Sequence, residues 1–290
     1  MEFKSLVNKL FIGGVWIVGV RERHTPDMLY YRLLTRNGEW LADPFLYEVN
    51  GKHYLFVEQY YQNKNRAGIG VLEITEGERT IDVINIIDTP YHMSYPCIFS
   101  YKGEHWMIPE SASNQTLDLY KATDFPYKWE QVTHLLENKR VVDTTAYIKG
   151  DDVFLLSYET VLQGWDLVIY QLDLLSYGLT KITTVHYDNN VGRPAGRLFM
   201  KDGRLYRPAQ NCVLKYGESL LFYEVTEFTN NTYHEEFSYE VKCNEVRMNA
   251  KFERIHTYNS DSKYEVIDVF QEQFDLFHWW KIFKRKYLKS

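Results

Sequence analysis

Residues 42–59 read ADPFLYEVNGKHYLFVEQ. Asp43 opens an apolar run, Asn50-Gly51 interrupts it, and an aromatic-rich run follows that closes on Glu58. Two alternating runs joined by Asn-Gly are a strong hairpin signal. The pattern returns at Ser94–Ser111 (SYPCIFSYKGEHWMIPES), at Asp143–Glu159 (DTTAYIKGDDVFLLSYE) and at Arg193–Gln210 (RPAGRLFMKDGRLYRPAQ). The starts at 43, 94, 143 and 193 are 51, 49 and 50 residues apart. A period near 50 built of short strands is the sequence form of a β-propeller blade.

Each hairpin is followed by two more strand-like runs. These are Gly68–Ile74 and Ile81–Asp88, Leu117–Ala122 and Gln131–Leu136, Asp166–Leu172 and Leu179–Val185, and Ser219–Phe228 and Phe237–Cys243. Four repeats leave strands over at both ends: residues 10–20 and 29–34, and Glu253–Tyr258 with Tyr264–Phe270. Together these make a fifth blade, and closing the ring with both termini removes exposed sheet edges. The expected fold is therefore all-β, a five-bladed propeller of four-stranded blades over residues 1–273. Residues 274–290 form a separate C-terminal segment.

Leu10–Val20 (LFIGGVWIVGV) follows Lys4 and Lys9 and has the look of a signal-peptide core. It lacks a small-residue cleavage site, runs straight into Arg21-Glu22-Arg23 and is too short to span a bilayer, so a buried strand is expected. Phe274–Ser290 (FDLFHWWKIFKRKYLKS) spaces its apolar residues helically and carries five Lys/Arg. It reads either as an amphipathic helix on an anionic membrane surface or as a capping helix with a solvated tail.

Of the 290 residues, 45% are hydrophobic and 25% charged, ordinary for a globular chain. The net charge of -6 speaks against nucleic acid as a partner. Cys97, Cys212 and Cys243 offer neither a disulfide framework nor zinc spacing, which points to a reducing, cytoplasmic setting, peripheral at the inner membrane face if the tail is an anchor. No nucleotide, metal or cofactor motif occurs, so neither a metal nor a cofactor is expected. Aromatic residues are plentiful at 16%, with 24 Tyr, and such rings favour strands and stack on sugars.

The repeat aligns polar residues inside apolar strands. Asp43, Tyr95-Pro96, Asp143 and Arg193 open the first strands, and Glu58, Glu110, Tyr158-Glu159 and Arg207 close the second. An isolated Asp before Pro or Thr is common turn chemistry. Charges in register across repeats are costly to bury and more often mark a site. Asp43, Asp143, Glu110 and Glu58 are the candidate catalytic carboxylates, suited to glycosidic chemistry in which one group acts as base or nucleophile and another as acid. Arg193 and Arg207, with His92 and Gln210, are the candidate substrate-binding residues, since Arg can clamp an anionic sugar or phosphate.

These residues resemble a known family. ADPF, SYPCIF with MIPES, LYKATDFPYKW, VVDTTAYI and GRLYRPAQNCVLKYG are similar to the propeller domain that precedes the transferase domain of plant glucosamine inositolphosphorylceramide transferases, and to bacterial domains of surface-polysaccharide clusters. The resemblance spans about residues 40–270 and implies kinship with five-bladed furanosidases. It implies Asp43 as base or nucleophile and Asp143 as its tuning partner. The blade-four slot, where those hydrolases hold an acidic Glu, contains Arg193, so Glu58 or Glu110 would have to supply the acid. The expected function is glycosyl transfer from a sugar donor to a glycan or glycolipid acceptor. A furanosidase-type hydrolase and a non-catalytic glycan-binding propeller are the alternatives.

Overall fold

The structure is a computed structural model that describes residues 12–25, 28–75, 82–162 and 164–274. The described residues form five antiparallel four-stranded sheets. Blade one comprises Glu39–Val49, Lys52–Tyr61, Arg66–Glu73 and Ile84–Ile87, and blade two comprises Ser94–Tyr101, Glu104–Ser111, Thr116–Asp124 and Lys128–Glu137. Blade three comprises Val141–Lys149, Asp152–Val161, Gly164–Asp173 and Gly178–Val185. In blade four Phe199–Lys201, Arg204–Asn211, Ser219–Phe228 and Tyr233–Lys242 follow in order.

The fifth blade has the order Arg254–Ser260, Tyr264–Phe274, Ile12–Glu22, Tyr31–Arg32, so the C-terminal strands supply its inner half and the N-terminal strands its outer half. Ile12 pairs with Phe274 and Glu22 with Tyr264, in unbroken register over the whole length of both strands. The Leu10–Val20 run is thus a strand from Ile12 onward. The strand that begins at Tyr264 runs through Phe274, one residue into the expected tail helix, and residues 275–290 lie outside the described residues.

Because the inner strands have apolar side chains on both faces, each blade packs against its neighbours. Phe45 and Phe56 of blade one share a buried cluster with Cys97 and Trp106 of blade two and Leu155 of blade three. Val18 and Val266 of the closing blade pack with Leu46 and Leu55. Blade contacts of this kind are dense and intolerant of volume change.

The channel is closed across its width. The Tyr95 hydroxyl from blade two lies 2.7 Å from Thr145 Oγ1 of blade three and accepts the Gly196 N–H of blade four at 2.7 Å. Asn259 of the closing blade donates to the Pro44 carbonyl at 2.8 Å and accepts the Arg197 N–H at 2.9 Å. Tyr95, Thr145, Gly196 and Asn259 are all buried, so these bonds form a floor beneath the mouth where the inner strands begin. Gly196 has φ +129°, and a Cβ there would sit 1.9 Å from the Tyr258 carbonyl oxygen. Gly196→Ala is expected to lower stability by about 2 kcal/mol, read from the denaturation midpoint, since both backbone strain and overlap must be relieved.

Candidate functional site

The same irregularity recurs near the start of three innermost strands. Ala42 faces Glu58 and Phe45 faces Phe56, so three steps on one strand match two on the other. The register slips likewise between Ser94 and Cys97 and between Val142 and Thr145. The extra residue is a β-bulge that re-aims a side chain. Asp43, Tyr95 and Asp143 occupy it with φ of 46°, 45° and 49°. Left-handed geometry at a non-glycine residue costs on the order of 1–2 kcal/mol, which the fold must offset. The closing blade slips in register between Ile255 and Thr257, at His256.

Asp43 is 4% exposed and heavily bonded. Its carboxylate accepts the Tyr95 N–H at 3.1 Å and the Thr257 hydroxyl at 3.0 Å, while its own N–H donates to Asp268 at 2.8 Å. His256 bridges the two acids, with Nδ1 2.6 Å from Asp268 and Nε2 3.3 Å from Asp43. Burial pushes the Asp43 carboxyl up, and with Glu58, Asp143 and Asp268 nearby it reaches about 8 despite His256. Burial pulls His256 down, but Asp268 and Asp43 outweigh it and hold the imidazole up at about 9. Asp43, His256 and Asp268 offer ligand atoms within 4.8 Å of one another, enough for a metal, although the imidazolium already sits between the two carboxylates.

A second node faces the mouth. Arg193 Nε donates to Asp143, and Gln210 Nε2 donates to the same carboxylate oxygen at 2.7 Å. Glu110 accepts the Asp143 N–H at 3.3 Å and lies 3.5 Å from Arg193. Burial and the Asp143 charge push Glu110 well above the usual carboxylate range, with Arg193 opposing. Glu58 lies 3.2 Å from His92 Nε2, and His92 Nδ1 accepts the Ala67 N–H at 3.1 Å.

Seven of the eight candidates therefore gather around two linked nodes: Asp43, Glu58, His92, Glu110, Asp143, Arg193 and Gln210. Arg207 does not. It is fully buried and binds Glu235 through two bonds of 2.7 and 2.6 Å, the Tyr187 hydroxyl at 2.9 Å and the Gly192 carbonyl at 3.1 Å. Arg207 and Gln210 are three residues apart on one strand, so they project from opposite faces. Its expected role in substrate binding is corrected to an internal one, since its donors are consumed by the protein.

Four site residues escaped the repeat. His256 and Asp268 belong to the closing blade, and His256 lies 63 residues after Arg193 rather than about 50. Trp16, from the N-terminal strand, stacks on His256 with ring centroids 3.9 Å apart. Tyr216 meets that ring edge-on at 5.1 Å, and the Arg193 guanidinium lies 5.1 Å over Tyr216. Tyr216 thus joins the two nodes from a loop.

Two hollows open beside the site. One of about 840 Å³ is lined by Glu110, His92, Gln115, Lys139, Arg140 and Thr160. The other, of about 1030 Å³, lies between blade three and the connection that leads from it to blade four, past Tyr158, Thr160, Asp166, His186 and Asn190.

Residues 33–271 match the family described as glucosamine inositolphosphorylceramide transferase 1, N-terminal. The chain belongs to this family. A relative from Oryza sativa subsp. japonica, named glucosamine inositolphosphorylceramide transferase 1, is 30% identical over 206 residues, covering 68% of this chain. The chain spans only 27% of that relative's length. Among solved structures, an alpha-L-arabinofuranosidase from Podospora anserina in complex with cellotriose aligns with TM-score 0.61 at 10% identity, over 82% of this chain and 94% of that one. A family 117 glycoside hydrolase from Zobellia galactanivorans aligns with TM-score 0.55 at 10% identity, over 92% of both chains. At such identity the likeness establishes the shared fold, and the family membership rests on the sequence match.

Proposed function

We propose that this chain is a carbohydrate-active protein of glycolipid or surface-polysaccharide assembly, and that it transfers a sugar within the pocket formed by Asp43, Glu58, Glu110, Asp143 and Arg193. The observation that carries this reading is the Asp143–Arg193–Glu110 node, a guanidinium held by one carboxylate and 3.5 Å from a second carboxyl group whose pKa burial raises. Family membership supports the glycan-related part of the reading, and the names of the relatives suggest a glycolipid acceptor.

A donor with an anionic leaving group, such as a sugar phosphate, suits these residues. As its C1–O bond breaks, the electron pair departs with the phosphate oxygen, whose charge Arg193 offsets and to which Glu110 donates a hydrogen bond. The acceptor oxygen bonds to C1, and its proton passes to the ionised form of Asp43, which a pKa of about 8 makes a stronger base than an ordinary carboxylate. Asp143 fixes the Arg193 guanidinium and leaves its remaining donors for the substrate. Hydrolysis of the furanosidase type would have to take its general acid from Glu58 or Glu110, because the blade-four slot holds Arg193.

Arg193→Ala should weaken binding of a sugar-phosphate donor by about tenfold to a hundredfold, the range of a charge-assisted hydrogen bond, with a far smaller effect on a neutral acceptor. Titration calorimetry with each ligand separately checks this. Equal loss for both would show that Arg193 merely supports the fold. Product analysis with water and with a glycolipid as competing acceptors tests transfer against hydrolysis.

A further inference from the structure

At the mouth end of the propeller, the loops after the second strands of blades one to four stand in equivalent places. Those of blades one and two are polar: Gln62-Asn63-Lys64-Asn65 and Ala112-Ser113-Asn114-Gln115. Those of blades three and four are not. Val161 and Leu162 end one, and Val213 and Leu214 stand in the other, with Leu162 fully exposed and Leu214 83% exposed. Val161 and Leu162 line the 1030 Å³ groove, and the loop that carries Val213 and Leu214 is tied to its wall, the Cys212 N–H donating to the Asn190 carbonyl at 2.9 Å. The groove floor is polar, with His186 Nδ1 2.8 Å from Asp166 and the Tyr158 hydroxyl donating to Asn190 at 3.0 Å.

Isolated apolar side chains on a surface need no explanation, but paired bare tips flanking one polar-floored groove do. Charge indicates the occupant. Lys215 follows Leu214 directly, and the Ile12–Phe274 pair places the first and last described residues at this same end of the propeller. The sequence beyond Phe274 holds Trp279, Trp280 and Phe283 among five Lys/Arg. Apolar tips beside Lys215, at the end of the propeller from which the sequence continues into aromatics and cations, match the boundary of an anionic bilayer.

We infer that the mouth of the propeller seats on an anionic lipid surface through Val161–Leu162 and Val213–Leu214–Lys215, so that the groove beside blade three opens toward the lipid headgroups. This rests on the proposed function only in taking the acceptor to be lipid-borne. Tyr216 lies two residues beyond Leu214, so the loop that enters the bilayer boundary also forms one wall of the site.

The test is flotation of the full chain with vesicles of phosphatidylcholine and phosphatidylglycerol that contain no glycolipid, so binding is read independently of any transferase activity. Leu162→Asp with Leu214→Asp should lower the partition constant at least about tenfold, since two apolar side chains leave the interface and two like charges enter it. Leu175→Asp, at an equally bare position (91% exposed) in a turn at the opposite end, should change nothing. At high salt the attraction of the basic tail is screened, and the difference between wild type and the double variant should persist. Thermal unfolding of both variants excludes misfolding. Wild-type binding by the double variant at high salt overturns the inference, as does a chain that ignores vesicles and self-associates through these tips.

Discussion

Asp43→Asn is expected to reduce turnover by about a thousandfold, the scale of losing a positioned general base, and to leave the folded state equally or more stable. Most buried carboxylates would give the opposite stability result. Here the folded pKa of about 8 lies above the ordinary aspartate value of 3.8, because burial and three neighbouring acids oppose ionisation. The folded state therefore holds a proton that the unfolded state has lost, and stability falls as pH rises from about 4 to 8. His256 acts with the same sign: its contribution is full below 6.5 and is lost as pH climbs through about 9. Wild-type unfolding should thus occur at lower denaturant concentration at pH 8 than at pH 5, by on the order of a few kcal/mol. In Asp43→Asn that slope should flatten. Asn also tolerates the left-handed backbone at this bulge. A variant that stays active but unfolds easily would show that Asp43 serves the fold rather than the reaction.

Arg207→Ala should do the reverse. It leaves the Glu235 carboxylate buried against Tyr187 and Tyr233 with no countercharge. Breaking a buried pair by removing one partner costs about 3–5 kcal/mol. Chemical denaturation should show that loss, while donor affinity per folded molecule stays within about twofold of wild type. Comparing Arg193→Ala with Arg207→Ala separates two arginines that look alike in sequence. If Arg207→Ala weakens donor binding as much as Arg193→Ala does, at conditions where both are folded, the internal role assigned to Arg207 is wrong.

The blades were legible because hairpins at a period near 50 repeat both their turn residues and their alternation. The bulges were half legible. Asp43, Tyr95 and Asp143 align by offset, but their left-handed backbone does not show in residue type. Arg207 misled for a geometric reason. Glu58 and Glu110 each face the residue just before a bulge, and Tyr158 does the same in blade three. In blade four, Pro194 faces Ala209, and the Gln210 N–H donates to the Arg193 carbonyl at 2.8 Å. Counting from that bridge selects Gln210, whereas matching charge to charge selects Arg207. His256 and Asp268 were missed because the closing blade follows a longer connection, with a short 3-10 turn at Cys243–Glu245, that breaks the period. Trp16 comes from the other end of the chain, where no repeat could align it.

The floor made by Tyr95, Thr145, Gly196 and Asn259 turns the channel into a blind pit. Nothing can enter at one end and leave at the other. On the proposed transfer reading, donor and acceptor come through the same opening, and whichever arrives first is covered by the second. Departure then follows the rule of a stack: last in, first out.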